Sequence, residues 1–343
     1  MITSFSGKSA DIVWRKAAEY FVDDKDTITQ PSRAGTTQEL LHASFAIENP
    51  RQRWVVSRAP SINPAFALAE VVWIINGSQD AEILNHWNPL LPKFAGNTKK
   101  YHGAYGFRLR KHFGIDQLEK AYNALKNCWD TRQVVLQIWD PTSDFPDKNG
   151  KPVATDIPCN ICSILKIRDN KLEWLQILRS NDLFRGVPYN FVQFTSLQEI
   201  MAGWLGIEPG TYNQLSDSLH IYENDKKHFL NQSTKHTEYN TDSLCRPKIE
   251  SELLFSDIFR RMKSMINSNL SRTDFYNLAF LDPDEPEPAF QNMLFVIASD
   301  SARRKGWKEM AEEFMEKCTN PAYRQLWVGW VNRKSKKAAS VCV

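Results

Sequence analysis

The sequence predicts an α+β fold, with strands grouped in the middle of the chain and helices on either side. Runs with the composition of β-strands follow one another at 133–139, 160–167 and 172–177. Runs with helical periodicity precede and follow them at 9–21, 63–76, 116–129 and 189–205. Because strands and helices occupy separate stretches instead of alternating, we expect helices packed on the clustered strands.

The helix predicted at 63–76 is almost entirely apolar. Pro64 stands near its start and Gly77 follows its end, an arrangement typical of a helix. Its one carboxylate, Glu70, lies among apolar neighbours, where a charge is costly. The helix is therefore expected to be buried, with an unusual ionisable group inside it.

The central strands are bounded by turn residues. The strand at 133–139 ends at Asp140-Pro141, and the strands at 160–167 and 172–177 flank a turn at 168–171. The long helix that follows, at 189–205, is closed by Gly206, as helix C-termini often are.

The last hundred residues have a different character. Helical periodicity continues at 251–269 and 302–317, and the run 322–332 is aromatic and amphipathic. An acidic, proline-rich segment at 282–288 predicts an exposed loop. We expect a catalytic domain at 1–246 and a mostly helical extension at 247–343, either packed on that domain or partly separate.

Composition narrows the class of protein. The 343 residues suffice for one large domain or two smaller ones, and a net charge of +3 is too mild to imply a nucleic-acid partner. No apolar run approaches the length of a membrane span, and the N-terminus lacks the layout of a secretory signal. Six irregularly spaced cysteines argue against a disulfide framework, so a reducing cytoplasm is expected.

Four side chains of different chemistry lie in and after the central strands. Cys159 is followed by Arg179, Ser180 and Asn190. A thiol can attack a ring carbon, an arginine and a hydroxyl can hold a phosphate, and an amide can recognise the edge of a base. These groups are what an enzyme acting on nucleoside monophosphates needs.

The motifs around these residues resemble the thymidylate synthase family, including its deoxypyrimidine-monophosphate hydroxymethylase branch. The resemblance covers roughly residues 30 to 225 and rests on the runs 156–160, 179–182, 186–190 and 218–222. It implies a mixed sheet packed with helices, a homodimer, and one-carbon transfer to C5 of a pyrimidine nucleoside monophosphate. The implied cofactor is 5,10-methylenetetrahydrofolate, and no metal is implied.

The resemblance assigns four catalytic side chains. Cys159 matches the nucleophile that adds to C6 of the base, and Glu70 matches a buried glutamate that moves protons at the base carbonyl. Burial should raise the pKa of that glutamate towards the range an acid/base group needs. Tyr105 matches a tyrosine that helps remove the C5 proton through water. Asn160 follows the nucleophile, where the family usually has histidine.

The phosphate would be held by arginines and a serine. Arg179 and Ser180 match family ligands, and Arg33 matches an arginine in an N-terminal loop. Arg132 matches an arginine that reaches across the dimer interface, but Gln133 stands where the family repeats arginine. We therefore expect a weaker phosphate grip, or one supplemented by other residues.

The base and the sugar have their own predicted ligands. Asn190 can accept a hydrogen bond from N3–H of uracil and donate one to O4, whereas cytosine presents the opposite pattern. His220 and Tyr222 match the pair that binds the ribose 3′-hydroxyl, and Ser180 favours deoxyribose. The expected substrate is therefore dUMP.

The folate contacts are less well preserved. Asp182 and Gly186 match positions beside the pterin, and Trp87 lies near the place of a family tryptophan motif that is absent here. The basic residues and histidine that hold the folate tail in the family are replaced, at Pro60, Ser61 and Asn63.

Several alternatives remain open at this stage. The changes around folate favour hydroxymethylation of dUMP, but the small apolar run 338–343 could close the site as in synthases that methylate dUMP. A hydroxymethylase of a cytidine monophosphate and an inactive regulator that binds nucleotide or RNA are further possibilities. Cys159 and Cys162 could also form a redox or zinc pair, although a single CxxC is weak evidence for zinc.

Overall fold

A computed structural model of the protein describes residues 1–23, 26–32, 35–229, 239–282 and 287–339, with side chains described as far as Arg333. The strands are β1 (Thr3–Gly7), β2 (Ile28–Ser32), β3 (Gly35–Ile47), β4 (Val134–Gln137), β5 (Asn160–Arg168), β6 (Lys171–Leu178), β7 (Asn181–Asp182) and β8 (Glu208–Tyr222). All eight belong to one sheet, with β1-β3-β8-β6-β5-β4 as neighbours, β2 paired with β3 and β7 paired with β8.

The sheet is mixed in direction. Strand β8 lies antiparallel to β3 on one side and parallel to β6 on the other. The pairs β4–β5 and β5–β6 are antiparallel, whereas β1 runs parallel to β3. Together with the helices described next, this confirms the predicted α+β class with a mixed sheet.

The helices flank the sheet in chain order. They are α1 (Ala10–Val22), α2 (Pro64–Ile75), α3 (Ala81–Trp87), α4 (Pro92–Ala95), α5 (Tyr105–Phe107), α6 (Gln117–Asn127), α7 (Val187–Leu205), α8 (Glu223–Lys226), α9 (Lys248–Met265), α10 (Arg272–Leu278), α11 (Pro288–Arg304), α12 (Lys308–Lys317) and α13 (Pro321–Ala339), with a π-helical turn at Arg108–His112. The long helices predicted before and between the strands are all present. No described helix has the length and apolarity needed to cross a membrane.

Helix α2 lies at the centre of the core. Each of its residues except Glu70 is buried, and it packs against α7 and α11. Helix α5 approaches it very closely, because a Cβ built on Gly106 would lie 2.3 Å from the carbonyl oxygen of Ile74. Glycine at 106 thus lets the residues beside it, including Tyr105, reach the end of α2.

The C-terminal helices pack on the same core as the sheet domain. Helices α9, α11 and α13 all contact α2, and the buried apolar side chains form one continuous cluster from Phe5 to Trp327. The helix expected at 302–317 is two helices, because Gly306 with a φ of 82° separates α11 from α12. Residues 283–286 of the predicted acidic loop lie outside the described residues. The division of the chain near residue 246 stays a prediction.

A buried ionic cluster holds the connecting segment in place. Glu199 of α7 is buried and pairs with Arg51, at 2.8 Å, and with Arg53. Burial alone would raise the pKa of Glu199, but the two arginines outweigh it and hold the pKa below its usual value. Ser243 donates to the same carboxylate at 3.0 Å. The chain leading to α9 is therefore bonded to α7.

If the extension and the sheet domain share one core, a cavity in α11 should destabilise the whole chain. Leu294 is fully buried in α11, so Leu294→Ala should lower the free energy of unfolding by about 2–5 kcal/mol. Circular dichroism and tryptophan fluorescence should follow a single denaturant transition. Leu253→Ala, at a 67% exposed position of α9, is the matched control. A separate early transition for the C-terminal helices would contradict the shared core.

Candidate active site

The candidate nucleophile lies in the loop that leads into β5. Cys159 is partly exposed, and its carbonyl oxygen accepts a hydrogen bond from the backbone N–H of Arg179 at 2.9 Å. The Arg179 guanidinium reaches back over the same loop, with Nε donating to Pro158 O at 2.9 Å and Nη2 to Ile157 O at 3.1 Å. The thiol and the expected phosphate ligand therefore lie together, where β5 begins and β6 ends.

Strand β5 begins with a β-bulge. The register of β5 against β6 shifts between Asn160 and Cys162, and the carbonyl of the extra residue, Ile161, accepts from both Ile138 N and Trp139 N. In a regular strand, residues 160 and 163 would face opposite sides of the sheet. The bulge instead places Asn160 and Ser163 on the same buried side, and such re-aiming is common beside active sites.

Asn160 is oriented by a buried chain of polar groups. The indole Nε1 of Trp174 donates to Gln176 Oε1 at 3.2 Å, and Ser163 Oγ donates to the same oxygen at 2.6 Å. Gln176 Nε2 then donates to Asn160 Oδ1 at 2.9 Å. Because an indole N–H can only donate, the direction of the chain is fixed, and Asn160 must present Nδ2 at its free end. That nitrogen is buried without a hydrogen-bond acceptor among the described residues.

Glu70 is the one ionisable group of α2. Its Oε2 accepts a hydrogen bond from Gln193 Nε2 of α7 at 2.6 Å. Burial raises the pKa of Glu70 to about 7, the nearby Asp156 carboxylate acts in the same direction, and the bond from Gln193 opposes them. A carboxyl group with this pKa can give and take a proton near neutrality.

Gln193 also connects Glu70 to Asn190. The two amides lie one turn apart on α7, and Asn190 Nδ2 donates to Gln193 Oε1 at 3.5 Å. Because Gln193 uses its nitrogen on Glu70, its oxygen faces Asn190. Asn190 is thereby oriented with Nδ2 towards Gln193, which leaves Oδ1 as an acceptor for a ligand.

Tyr105 is within electrostatic range of both the Cys159 thiol and the Glu70 carboxyl group. Burial raises the pKa of Tyr105 well above its ordinary value, and the charges of Cys159 and Glu70 act in the same direction. Asn160 is close enough to oppose that rise, although its Nδ2 does not reach hydrogen-bond geometry with the hydroxyl. The protonated phenol of Tyr105 thus lies within reach of the other three side chains predicted to be catalytic, Cys159, Asn160 and Glu70.

The predicted ribose and folate ligands meet where β7 pairs with β8. Asp182 is the Cα partner of His220, and Leu183 N donates to His220 O at 2.8 Å. The rings of His220 and Tyr222 lie edge to face, with centroids 5.8 Å apart, and both side chains are partly exposed. Asp182, His220 and Tyr222 therefore project from adjacent positions of one surface.

The turn after β7 fixes Asp182. Its Oδ1 accepts from Phe184 N at 2.8 Å and from Arg185 N at 2.7 Å, and burial raises the pKa of its carboxyl group. A Cβ on Gly186 would lie 3.0 Å from Asn181 Oδ1 and 3.1 Å from Asp182 O. The absence of a side chain at 186 thus serves this turn, beside its expected place near the pterin.

The family can now be stated from comparison with known proteins. A family model described as thymidylate synthase matches residues 28–259. The chain belongs to the thymidylate synthase family. It is 32% identical to a deoxyuridylate hydroxymethyltransferase of Bacillus phage SP01 over 233 residues, and this aligned stretch is 65% of this chain and 59% of the phage protein. It is 38% identical over 176 residues to a deoxyuridylate hydroxymethyltransferase of Pseudomonas phage M6, with 51% of this chain and 49% of that protein covered.

An archaeal relative is covered over more of its length. A putative thymidylate synthase of Methanothermobacter thermautotrophicus is 36% identical over 214 residues, which is 61% of this chain and 89% of that protein. The chain spans only about half to three-fifths of the two phage proteins. The family match ends within α9, so α10 to α13 lie outside it.

The other residues predicted to contact folate or phosphate make no contact in the described part of the structure that supports those roles. Trp87 is fully buried, and its indole Nε1 donates to Ile297 O of α11 at 3.0 Å, so its side chain has no open surface for a folate. The predicted folate contact of Trp87 is not supported by this position. Ser180 is partly exposed beside Arg179, and Arg132 is exposed just before β4. Arg33 lies outside the described residues, as do residues 340–343 of the C-terminal tail.

Three polar residues of the site were not identified from the sequence. Gln176 orients Asn160, Gln193 joins Glu70 to Asn190, and Arg185 pairs with Asp225 at 2.7 Å while its guanidinium carbon lies 4.5 Å from the centroid of the Tyr222 ring. Only Gln193 had a local signal, because it lies three residues after Asn190 on a predicted helix. Within the described residues, no cluster of metal-ligating side chains is present.

The raised pKa of Glu70 should appear as a pH dependence of stability. The pKa rises from 4.5 to about 7 on folding, so the two states bind protons equally below pH 4.5. Between pH 4.5 and 7 the unfolded state loses the proton first, and the folded state becomes relatively less stable as pH rises. Glu70→Gln should remove a penalty of up to about 3 kcal/mol above pH 7 and change little at pH 4.

Urea unfolding at several pH values measures this difference. Glu316→Gln, at an exposed position of α12, serves as the control and should leave the pH profile of the wild-type chain unchanged. If the wild-type chain and Glu70→Gln kept a constant stability difference from pH 4 to 8, the Glu70 assignment would be wrong.

Proposed function

We propose that the protein transfers a one-carbon unit from 5,10-methylenetetrahydrofolate to C5 of dUMP and releases 5-hydroxymethyl-dUMP. The observation that carries the proposal is the gathering of Cys159, Asn160 and Glu70 around the Tyr105 hydroxyl. These residues come from three separated stretches of the chain, and each is chemically suited to one step at a uracil ring. The phage relatives named deoxyuridylate hydroxymethyltransferases support the same activity.

Binding of the nucleotide would begin at its phosphate. Arg179 retains N–H groups beyond the two that hold the 157–158 loop, and Ser180 stands next to it. We assign both to the phosphate, with Arg33 from the same subunit and Arg132 from a partner subunit. A guanidinium suits this role because its donors form a fixed fork.

The base would be recognised by Asn190. The bond to Gln193 leaves Asn190 Oδ1 as an acceptor for N3–H of uracil, while the second N–H of the amide can donate to O4. Cytosine has an acceptor at N3, so the same orientation opposes it. His220 and Tyr222 would hold the ribose 3′-hydroxyl, since both side chains remain accessible.

The chemistry would begin with a bond from the Cys159 thiolate to C6, which makes C5 a carbon nucleophile. The donor would supply one carbon at the oxidation level of formaldehyde, which becomes bonded to C5 while both of its bonds to folate nitrogens break and tetrahydrofolate leaves. The C5 proton then leaves through water held at Tyr105, and Glu70 gives or takes the proton at the O4 side of the base. After water adds to the exocyclic carbon, the Cys159–C6 bond breaks and the thiolate is regenerated.

The choice of water over hydride would depend on a polar anchor beside the thiol. The buried Asn160 Nδ2 has no acceptor among the described residues, and burying a donor without a partner is costly. A water oxygen at this position would satisfy it and would lie next to the site of attack. This argument favours hydroxymethylation over methylation of dUMP.

The folate would lie on the side of Asp182. Its Oδ1 is engaged by two backbone N–H groups, whereas Oδ2 lies 3.9 Å from Arg185 Nε and can accept from a pterin N–H. The free acceptor of Asp182 is thus compatible with a pterin, and Gly186 has no side chain to occupy the space beside it. Cys159 must stay a free thiol, and the five described cysteines form no disulfide, so we assign the protein to the cytoplasm.

A homodimer would cover the open face of the sheet. Val135, Ile164 and Leu175 are paired neighbours across β4, β5 and β6, and none of them is buried. Between β6 and β8, the partly exposed side chains of Ile177 and Leu215 are paired in the same way. Adjacent apolar side chains left open on one sheet face are typical of a protein interface. Arg132 stands just before β4 at the margin of this face.

The decisive experiment follows both proton release and product. Purified protein is incubated with 5,10-methylenetetrahydrofolate and C5-tritiated dUMP, and parallel reactions contain UMP, dCMP or CMP. We expect tritium release with dUMP and a product heavier by CH2O; a gain of CH2 would mean methylation. Cys159→Ser should abolish release and Cys162→Ser should retain it. Nucleotide binding without tritium release from any substrate would favour a regulatory protein.

Mixing two inactive variants tests whether Arg132 acts across the interface. If it does, a heterodimer of Cys159→Ser and Arg132→Glu contains one site with both defects and one intact site. Random exchange of subunits should then restore about a quarter of wild-type activity. Arg179→Glu mixed with Cys159→Ser is the matched control: because both residues would serve their own subunit, each site of that heterodimer carries one defect and no activity should return. Absence of recovery in the Arg132 mixture would contradict the assignment.

A further inference from the structure

Arg58 is an arginine buried at the folate side of the site. Its side chain is almost fully buried, and the guanidinium carbon lies 3.9 Å from the centroid of the Phe184 ring. Nε donates to Phe184 O at 2.8 Å and Nη1 donates to Pro60 O at 2.6 Å. Two backbone carbonyls therefore use two of its five N–H groups, and the positive charge is not needed for either bond.

The charge of Arg58 is poorly balanced by the chain. Burial lowers the pKa of Arg58 to about 10, and the positive charge of Arg333 acts in the same direction, whereas Tyr189, Asp182 and Asp225 oppose them without restoring the ordinary value. The nearby carboxylates are committed elsewhere: Asp225 pairs with Arg185 at 2.7 Å, and Asp182 accepts two backbone N–H groups. Among the described residues, none forms an ion pair with Arg58. Burying an unpaired cation beside a second cation is costly, and an anionic ligand bound between them would lower that cost.

Close packing of α13 brings Arg333 to this position. A Cβ on Gly329 would lie 2.1 Å from Ser61 Oγ and 3.0 Å from Ser61 Cβ, so the helix and the 57–63 loop are in close contact at this glycine. Arg333 follows one turn later on the same helix, as i, i+4 neighbours do. Arg58 precedes Ser61 by three residues. The loop and the helix thus offer one guanidinium each.

The position fits a particular anion. Positions 60, 61 and 63, where the family has basic residues and histidine for the folate tail, are Pro60, Ser61 and Asn63 here. Arg58 lies near Asp182, the proposed pterin ligand, whereas the proposed phosphate ligands Arg179 and Ser180 follow β6 beside the thiol loop. The anion is therefore expected from the folate and not from the nucleotide.

We propose that Arg58 and Arg333 form an anion subsite between the 57–63 loop and α13, which binds the carboxylate tail of the folate. The inference rests on the proposed function. Helix α13 lies beyond the part of the chain that matches the family, so the extension supplies a binding group to the site. In this subsite Arg58 of the loop before α2 and Arg333 of α13 would supply positive charge that positions 60, 61 and 63 do not provide.

Binding of two folates separates the tail from the ring. Tetrahydrofolate carries a glutamate, whereas tetrahydropteroate has the same ring system without it. Calorimetry in the presence of dUMP should show that Arg333→Gln weakens tetrahydrofolate about tenfold and leaves tetrahydropteroate unchanged, because one charged contact is lost. Arg333→Lys should keep most of the affinity. Arg324→Gln, at an exposed position of the same helix, should bind both compounds like the wild-type chain.

The outcomes distinguish this inference from the proposed function. Equal weakening of both compounds, unchanged binding of tetrahydrofolate to Arg333→Gln, or no binding of tetrahydrofolate to the wild-type chain would overturn the subsite. Tritium release from dUMP is measured separately. Release together with any of those results would leave the proposed function standing without the subsite. Tail-dependent binding without release would support the subsite and remove the proposed activity.

Discussion

One extra residue in a strand sets the geometry on which the candidate site depends. The bulge at Ile161 turns Asn160 to the buried side of the sheet, where Gln176 can reach it at 2.9 Å. Without the bulge, Asn160 would face the other side and the thiol loop before it would be displaced with it. The position of Cys159 relative to the polar interior is thus a consequence of strand register, and Arg179 ties the loop down from the neighbouring strand.

Two amide chains of opposite polarity converge on this geometry. The first is anchored by the Trp174 indole, which can only donate, and it ends in an N–H of Asn160. The second is anchored by Glu70 and ends in the carbonyl oxygen of Asn190. The Glu70 carboxyl has a pKa of about 7, so the second chain begins at a group that can exchange a proton near neutrality, whereas the first contains no such group. One chain presents a donor, Asn160 Nδ2, and the other an acceptor, Asn190 Oδ1.

The sequence predicted the long helices α1, α2, α6, α7 and α9 and the short central strands, but it missed most of the buried helix α11 and the two longest strands, β3 and β8. In β8, Gln214 and Ser216 occupy buried positions, so the strand lacks the alternation of apolar and polar residues by which strands are recognised. The same polar interior hid Gln176, whose importance lies in contacts with residues distant in sequence. The candidate nucleophile Cys159 and the candidate phosphate ligand Arg179 could be proposed from the sequence because each lies in a short local motif, and the structure brings the two segments together. Matching a family position does not by itself predict a ligand contact: the Trp87 indole is buried and donates its N–H to Ile297 O of α11.

The C-terminal helices contact segments that support the candidate site as well as the core. Helix α11 takes up the Trp87 indole, and α13 packs onto Ser61 through Gly329, so both meet segments that flank α2. Since α2 carries Glu70, any shift of these helices would move the acid/base group relative to Asn190 on α7. Because positions 60, 61 and 63 carry no basic residue, the proposed binding of folate beside this loop would need positive charge from another position. A helix already packed against that loop is well placed to provide one, and Arg333 lies one turn beyond the contact.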